Sequence, residues 1–253
     1  MSVPLNDLVK MLDDELQPWH FKDYCPNGVQ IEGCSQVSKV VTGVTACLDL
    51  IEKAIELEAD ALLVHHGYFW RGEAAHITGM KQRRIKKLLE NNISLLAYHL
   101  PLDAHSSLGN NAQLARLMGW QVIGGLEPDA KYPVGNLGKT AKPATLDELG
   151  QNIEAQLKRP PLLISGGSQP IHTIAWCTGA AQSMIDKALE AGADAFVSGE
   201  ISESTVHFAR ENGIHYISAG HHATERYGVQ ALADWLAQKA GIKHEFVDID
   251  SPV

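Results

Sequence analysis

The sequence predicts an α/β fold built from two similar lobes, each an alternation of strands and helices. Short apolar runs, such as residues 61–64 and 93–98, alternate with stretches of helical periodicity. That alternation is typical of parallel strands joined by right-handed crossovers. The second half of the chain also repeats the first. We therefore expect two strand–helix repeat lobes that face each other about a pseudo-two-fold axis, with the functional site in the cleft between them.

The internal repeat is visible without any insertion over 26 residues, because residues 41–66 align directly on residues 175–200. The matched residues are Lys53-Ala54 with Lys187-Ala188, and Ala59-Asp60-Ala61 with Ala193-Asp194-Ala195. After a one-residue gap, both halves continue with a strand and then a histidine followed four residues later by a carboxylate. These pairs are His99 with Asp103, and His221 with Glu225.

The first lobe is expected to span residues 1–123. Leucines recurring at helical spacing from Leu5 to Leu16 predict an amphipathic helix that ends before Pro18. Residues 23–30 combine turn chemistry with a short strand. The remaining predicted elements are a strand at 39–45, a helix at 48–57, a strand at 61–64, an aromatic loop at 67–79, a basic helix at 81–91, a strand at 93–98 and a helix at 111–118.

The second lobe is expected to span residues 144–253, intertwined with the first as one compact unit. Glycines and prolines break any regular pattern over residues 124–143, so this stretch is interpreted as the connection between the lobes. Thr145 and Glu148 have the spacing of a capping box, which predicts a helix start. A short strand is expected at 162–164, followed by a glycine turn.

Composition excludes several classes of protein. The chain has 253 residues, of which 45% are hydrophobic, and a net charge of −9, which argues against a general nucleic-acid-binding surface. The four cysteines form no C-x-x-C pair, so reduced, mostly buried thiols in a cytoplasmic protein are expected. The N-terminal residues have no signal-peptide pattern, and no apolar run approaches the roughly 20 residues of a membrane span.

The strand at 61–64 ends in His65-His66-Gly67, and ligand sites of open α/β sheets lie at the carboxyl ends of the strands. The candidate site residues are His65, His66, His99 and Asp103 in the first lobe, and Glu200, His221, His222 and Glu225 in the second. Imidazole and carboxylate donors suit Zn, Fe, Mn or Co, and this set could hold two metal ions that activate a shared water. The interpretation is therefore a metal site in the cleft.

Local chain geometry qualifies each candidate. Neighbouring residues of a strand point to opposite faces, so His65 and His66 can serve one pocket only if the strand ends there. A proline at 101 disfavours a helix, so His99 and Asp103 are expected on a loop. His221 and Glu225 fit the first turn of a helix running to residue 239, where positions i and i+4 share a face.

The simpler interpretations differ from one candidate to the next. His222 could be a bystander, and Glu200 could equally cap a helix. The basic run at 81–87 is best interpreted as a solvated helix face, with a strip for phosphates or nucleic acid as the alternative. Trp70, Trp176 and Trp235 are expected to be packing residues.

Five sequence blocks together resemble the Nif-three-like dinuclear metal-binding family, whose members are also named GTP cyclohydrolase I type 2 homologues. The blocks are residues 23–30, 64–67, 99–103, 198–200 and 220–225. The likeness covers nearly the whole chain, and it is closest to the short bacterial members, which lack a large inserted domain between the two halves.

The resemblance implies a set of site residues and an assembly. The implied ligands of two divalent metal ions are His65, His66, Asp103, His221 and Glu225, with Glu225 as the bridge. His99 and Glu200 are then the candidates for moving protons. The resemblance also implies a ring-shaped homo-hexamer and a hydrolase acting on a small molecule such as a purine nucleotide. The alternative is a non-enzymatic metal-binding ring that binds a protein or nucleic-acid partner.

Overall fold

The computed structural model describes residues 2–253, and these divide into two compact units. The first unit comprises the described chain up to Leu102 together with Gly228–Asp250. The second comprises Asp103–Tyr227 together with Ser251–Val253. Both units combine helices with a multi-stranded sheet, so the predicted α/β class is confirmed.

Helices and strands are numbered separately in chain order. The helices are α1 (Leu5–Leu16), α2 (Leu48–Glu56), α3 (Gly79–Glu90), α4 (Leu100–Ala104), α5 (Asn110–Met118), α6 (Leu146–Leu157), α7 (Ile185–Glu190), α8 (Glu203–Asn212) and α9 (His221–Ala240). The strands are β1 (Val3–Pro4), β2 (Gly28–Ile31), β3 (Gln36–Val37), β4 (Lys39–Thr45), β5 (Ala61–His66), β6 (Ser94–Ala97), β7 (Gln121–Gly125), β8 (Asn136–Ala144), β9 (Leu162–Ile164), β10 (Ile171–Cys177), β11 (Ala195–Ser198), β12 (His215–Ser218) and β13 (Lys243–Phe246).

The first unit is organised around a five-stranded sheet in the order β13-β4-β5-β6-β2. Strands β4, β5 and β6 are parallel, with Val41 opposite Leu62 and Leu62 opposite Leu95, while β2 runs antiparallel to β6. Strand β5 is central and buried on both faces, which explains its unbroken apolar run. Its side chains pack against the buried face of α2, represented by Leu50 and Ile51.

The second unit is organised around a six-stranded sheet in the order β7-β8-β10-β11-β12-β9. Its central strands β10, β11 and β12 are parallel, and β9 runs antiparallel to β12. The order β10-β11-β12-β9 therefore repeats the order β4-β5-β6-β2 of the first unit, in agreement with the sequence repeat. Trp176 of β10 is fully buried in the core of this unit, as predicted.

Two equivalent aspartates show why the repeat retains Ala-Asp-Ala before its second strand. Asp60 accepts hydrogen bonds from the backbone N–H groups of residues 38–39 at 2.7 and 2.9 Å. Asp194 accepts them from residues 172–173 at 2.9 and 2.8 Å. Each carboxylate thus ties the start of one parallel strand to the start of its neighbour, and this contact fixes the register of the pair.

The observed division of the chain differs from the expected boundaries at two places. Residues 124–143 do not form a plain connection, because they include most of β8, which pairs with both β7 and β10 inside the second sheet. The chain also returns to the first unit after Tyr227, where β13 pairs with β4. The pairing of β8 with strands on both sides overrides the local preference of its glycine and proline residues for turns.

The expectation of a loop at Asp103 is also wrong, since Leu100–Ala104 forms the short helix α4. Pro101 lies in its first turn, where a backbone N–H has no partner within the helix and a proline is tolerated. The helix starts with the N–H of Leu102 donating to the carbonyl of His99 at 2.9 Å.

Other local predictions are confirmed. Thr145 and Glu148 form the complete capping box at the start of α6. Cys25, Cys34, Cys47 and Cys177 are free thiols. Within residues 2–253, no helix is both long and apolar enough to cross a membrane.

Candidate functional site

Three imidazoles form one cluster in the first unit. His65 and His66 are the last residues of β5, and the ring of His99 lies just before α4. Ring centroids are 4.5 Å apart for His65 and His66, 5.1 Å for His65 and His99, and 5.7 Å for His66 and His99. The strand does end at His66, so the two adjacent histidines reach the same cluster, as the sequence required.

Hydrogen bonds orient the first two imidazoles. His65 is fully buried, and its Nδ1 lies 3.0 Å from the carbonyl oxygen of Tyr98. A carbonyl only accepts, so Nδ1 carries the proton and the lone pair of His65 is on Nε2, the arrangement that a metal ligand needs. Nδ1 of His66 lies 3.1 Å from Oγ1 of Thr45 on the neighbouring strand.

The turn after the histidines is held by Gln30. Its Oε1 accepts from the backbone N–H of Tyr68 at 2.6 Å, and its Nε2 donates to the Tyr68 carbonyl at 3.1 Å. The amide packs so closely on Gly67 that a Cβ there would lie 2.2 Å from Gln30 Oε1. The glycine is therefore required by a close approach, and Gln30 fixes where the histidine turn points.

The third imidazole is positioned by the carboxylate of Asp23, whose side chain is only 4% exposed. Asp23 accepts from His99 Nδ1 at 2.7 Å, from the N–H of Leu100 at 2.9 Å and from Nδ2 of Asn27 at 2.9 Å. Burial alone would raise the pKa of Asp23, but the contacts with His99 and Asn27 prevail and lower it. Because Asp23 engages Nδ1, Nε2 is the nitrogen of His99 that can exchange a proton with a bound molecule.

In the second unit, His221 lies between two carboxylates. It is the first residue of α9, and its Nδ1 is 2.7 Å from Oε1 of Glu200, while its Nε2 is 3.2 Å from Oε2 of Glu225. His221 and Glu225 share a face of the first helical turn, as predicted. The N-cap position of α8 is Ser202, and the carboxylate of Glu200 contacts His221, so the capping interpretation of Glu200 is wrong.

Two glycines bring backbone against this pair. Gly179 has φ +69°, and a Cβ there would lie 2.3 Å from Oε1 of Glu225. A Cβ on Gly199 would lie 2.6 Å from the Cα of His221. The N–H groups of Gly199 and Glu200 both donate to the carbonyl of Gly179, which locks the two loops together.

Asp103 completes the acidic part of the second unit. It is 6% exposed and Glu225 is 2% exposed, and a carboxylate oxygen of one lies within 4.8 Å of a carboxylate oxygen of the other. Oδ1 of Asp103 accepts from Nδ2 of Asn110 at 2.8 Å and from Oγ1 of Thr178 at 3.3 Å. Two buried negative charges this close repel one another unless a cation or a proton compensates them.

His221 supplies part of that compensation. Burial alone would lower its pKa, but the contacts with Glu225 and then Glu200 prevail and raise the pKa to about 9. At neutral pH the imidazole is therefore protonated, with Nδ1 donating to Glu200 and the charged ring forming an ion pair with Glu225. A metal ion bound at Nε2 would displace that proton while Glu200 continued to hold Nδ1, the carboxylate–histidine arrangement common behind metal ligands.

The remaining candidates show weaker features. His222 donates its backbone N–H to the carbonyl of Val253 at 3.0 Å. In the basic helix α3, Lys81, Lys86 and Lys87 form ion pairs with Glu73, Glu90 and Glu52. These pairs favour the solvated-face interpretation of the basic run over a nucleic-acid strip.

Sequence reasoning missed the residues that support the donors. The sequence predicts a turn and a strand over residues 23–30, whereas in the structure Asp23, Asn27 and Gln30 also hold His99 and the turn after the histidines. Thr178 and Asn110 carried no signal at all. The available signal for the first group was the dense polar run ahead of a strand, but its partners lie 38–77 residues away along the chain.

Comparison with known proteins agrees with the sequence resemblance. The model of the Duf34/NIF3 family (NGG1p interacting factor 3) matches residues 3–252. This chain belongs to the Duf34/NIF3 family. Members of the family with curated names include a GTP cyclohydrolase 1 type 2 homolog from Pseudomonas aeruginosa, 54% identical over 252 residues that cover 100% of both chains.

Two further relatives extend this result. A protein of the same name from Escherichia coli (strain K12) is 48% identical over 247 residues, which are 97% of this chain and 98% of the relative. The solved structure of protein ybgI, described as of unknown function, is 47% identical with a TM-score of 0.95. It covers 99% of this chain and 100% of that chain. The Duf34/NIF3 assignment therefore rests on both sequence and fold.

Proposed function

We propose that this Duf34/NIF3 protein is a metal-dependent hydrolase of a small molecule, a purine nucleotide or a related heterocycle. The proposed ligands of two divalent metal ions (Zn, Fe, Mn or Co) are His65, His66, Asp103, His221 and Glu225. The substrate class follows the curated name of the relatives, GTP cyclohydrolase 1 type 2 homolog. The expected homo-hexamer and the cytoplasmic location stay predictions.

The observation that carries the proposal is the pair of buried carboxylates, Asp103 and Glu225, within 4.8 Å of each other. Two such groups together disfavour ionisation, and a divalent cation is the usual means of compensating both. The donor chemistry fits, since imidazole nitrogens and carboxylate oxygens are ligands that first-row ions accept. His65 has its lone pair on Nε2, and His221 is held from behind by Glu200.

The roles of the protein groups follow from their contacts. Bound divalent ions would supply an activated water and polarise the bond under attack. His99, held by Asp23 through Nδ1, is proposed to accept or donate a proton through Nε2, the nitrogen that this contact leaves available to a bound molecule. Glu200 is proposed to keep His221 in one orientation, as a positioning residue, rather than to move protons.

Elemental analysis tests the proposal. We expect about two first-row metal ions per chain in the wild type, and a sharp fall in Glu225→Gln, which keeps the shape of the side chain. Glu203→Gln, at an exposed position of α8, is the matched control and should keep its metal. Metal-loaded wild type should then hydrolyse at least one member of a purine nucleotide panel.

Two outcomes would contradict the proposal. An absence of metal after reconstitution would remove its basis. Metal without turnover, together with a melting temperature that falls on chelation, would favour the non-enzymatic metal-binding ring. Light scattering on the same sample would test the expected hexamer independently of either result.

A further inference from the structure

We propose that Tyr24, Trp70 and Arg71 form a recognition surface for a planar, anionic ring, with the aromatic side chains stacking on the ring and the guanidinium pairing with its charged substituent. The three residues are called the aromatic rim below. This inference rests on the proposed function and names the part of the first unit that would select the substrate.

The aromatic rim lies directly against the imidazole cluster. The ring of Trp70 is 5.0 Å from the ring of His99 at 85°, and 5.9 Å from the ring of His66. The ring of Tyr24 is 6.3 Å from that of His99 at 66°. Both rings therefore contact the same imidazole at steep angles, and a flat molecule that reaches His99 would meet aromatic side chains.

Trp70 and Trp176, both expected from the sequence to be packing residues, lie in different surroundings. Trp176 is fully buried among apolar side chains, and its Nε1 donates to the carbonyl of Asn111. Trp70 instead is half-buried and contacts two imidazoles. Its own Nε1 donates to the carbonyl of Gly67 at 3.2 Å, so the polar edge is engaged within the protein and the ring can offer its faces.

The loop holds Trp70 in place at a conformational cost. Phe69 adopts φ +64°, a left-handed conformation that is unfavourable for an aromatic residue, by about 1–3 kcal/mol for a strained backbone position. The N–H of Trp70 then donates to Oε2 of Glu73 at 3.1 Å. The side chain of Phe69 is partly buried against the core of the first unit, and the left-handed turn places Trp70 beside the histidine cluster. Strained backbone positions of this kind cluster at functional sites.

Arg71 adds positive charge to the same surface. Its backbone N–H donates to the carbonyl of Tyr24 at 2.7 Å, and its Nη2 donates to the carbonyl of Asp23 at 2.8 Å. The guanidinium carbon lies 5.5 Å from the centroid of the Tyr24 ring. The nearby acids are committed elsewhere, because Asp23 holds His99 and Glu73 pairs with Lys81. The rim thus presents a cation beside two aromatic rings, and Tyr24 is 55% exposed.

These features together select the ligand chemistry. Aromatic side chains bind any flat heterocycle through its π-face. A guanidinium binds phosphate or carboxylate with directional hydrogen bonds. An apolar chain or an uncharged sugar could pack on the aromatic rings but would leave the guanidinium unused. A heterocycle bearing an anionic group uses both features and is the chemistry that the rim fits.

Isothermal titration calorimetry with three probes tests the proposal: GMP (ring and phosphate), guanosine (ring alone) and ribose 5-phosphate (phosphate alone). Each is titrated into the protein as purified and again after chelation. We expect Trp70→Ala to weaken GMP and guanosine about tenfold, the size of one stacking contact, and to leave ribose 5-phosphate unchanged. Trp70→Phe should restore most of the affinity.

Arg71→Gln should show the complementary pattern, weaker GMP and ribose 5-phosphate with unchanged guanosine. Trp19→Ala is the matched control, since this tryptophan of the same unit is 62% exposed and should leave all three probes unaffected. The proposal is overturned if GMP does not bind the wild type, if GMP binds no more tightly than ribose 5-phosphate, or if Trp70→Ala binds GMP as the wild type does.

The readout separates this inference from the hydrolase proposal. Trp70→Ala could weaken binding of the ring in a protein that has neither metal nor turnover. That result would support the aromatic rim and contradict the hydrolase proposal. Metal-dependent turnover with GMP affinity unchanged in Trp70→Ala would keep the hydrolase and remove the rim.

Discussion

Replacing Asp23 by asparagine should both destabilise the first unit and release His99. The carboxylate accepts four hydrogen bonds: Tyr24 N and His99 Nδ1 bind one oxygen, and Asn27 Nδ2 and Leu100 N bind the other. An asparagine has one accepting oxygen and one donating amide group in the same place. Whichever way the amide lies, two of the four donors face another donor.

The magnitude follows from those two lost bonds. A hydrogen bond to a charged group contributes roughly 1.5–3 kcal/mol, and Asp23 is nearly buried, so solvent replaces little of it. Tyr24 is exposed, so the hydrogen bond from its N–H is expected to contribute a free energy at the lower end of this range. We expect the free energy of unfolding to fall by about 3 kcal/mol, equivalent to a fall in melting temperature of roughly 6–12 °C for a chain of this size.

The pH dependence identifies the carboxylate as the cause. The pKa of Asp23 is lowered in the folded protein, so its stabilisation is present above the ordinary value of 3.8 and is lost as the pH falls through the lowered folded pKa. The stability gap between wild type and Asp23→Asn should therefore be wide at pH 7 and narrow in acid. Urea unfolding of both proteins from pH 3 to pH 7, after treatment with a chelator, measures this difference in the free energy of unfolding.

Asp60→Asn is the matched control, because Asp60 also accepts backbone N–H groups but at the start of β4, away from the histidine end of the strands. Both variants should lose stability, whereas only Asp23→Asn should change the NMR signals of the His99 ring. A gap that stays constant with pH, or a fall in melting temperature below about 1 °C, would refute the reasoning.

Two further predictions concern the second unit. Gly192→Ala and Gly179→Ala both place a side chain at positive φ, but Gly192 has open space and Gly179 faces Glu225 at 2.3 Å. The first should cost about 1 kcal/mol and the second at least about 2 kcal/mol more, with loss of metal; equal costs in urea unfolding would contradict this. His221 has its pKa raised from 6.5 to about 9, so in metal-free protein its stabilisation is complete below pH 6.5 and is lost as pH rises through 9. An NMR titration should show this high value, and the decline in stability should be absent in His221→Gln; a ring that titrates near 6.5 would contradict it.

Periodicity and spacing were sufficient for much of the fold. Some elements depend only on residues that are close together in the sequence. They are the central strand β5, the helix α2 before it and the capping box of α6. The internal repeat could also be found from the sequence, because Asp60 and Asp194 align in it. The structure shows that these two aspartates make the same contact with backbone N–H groups. The unit boundaries were not, since β13 pairs with β4 from the far end of the chain.

The site divides in the same way. The sequence by itself determined the donors: histidines at the end of a buried strand, and His221 with Glu225 one helical turn apart, are local patterns whose geometry follows from the backbone. Only the tertiary structure decided what orients them, because Asp23 reaches His99 and Glu200 reaches His221 from 76 and 21 residues away. Hydrogen bonds need donor and acceptor within about 3 Å, and no spacing rule specifies that distance between segments joined by flexible turns. The role proposed for Trp70 could not be predicted from the sequence either, because it depends on the left-handed backbone of Phe69, which composition does not specify.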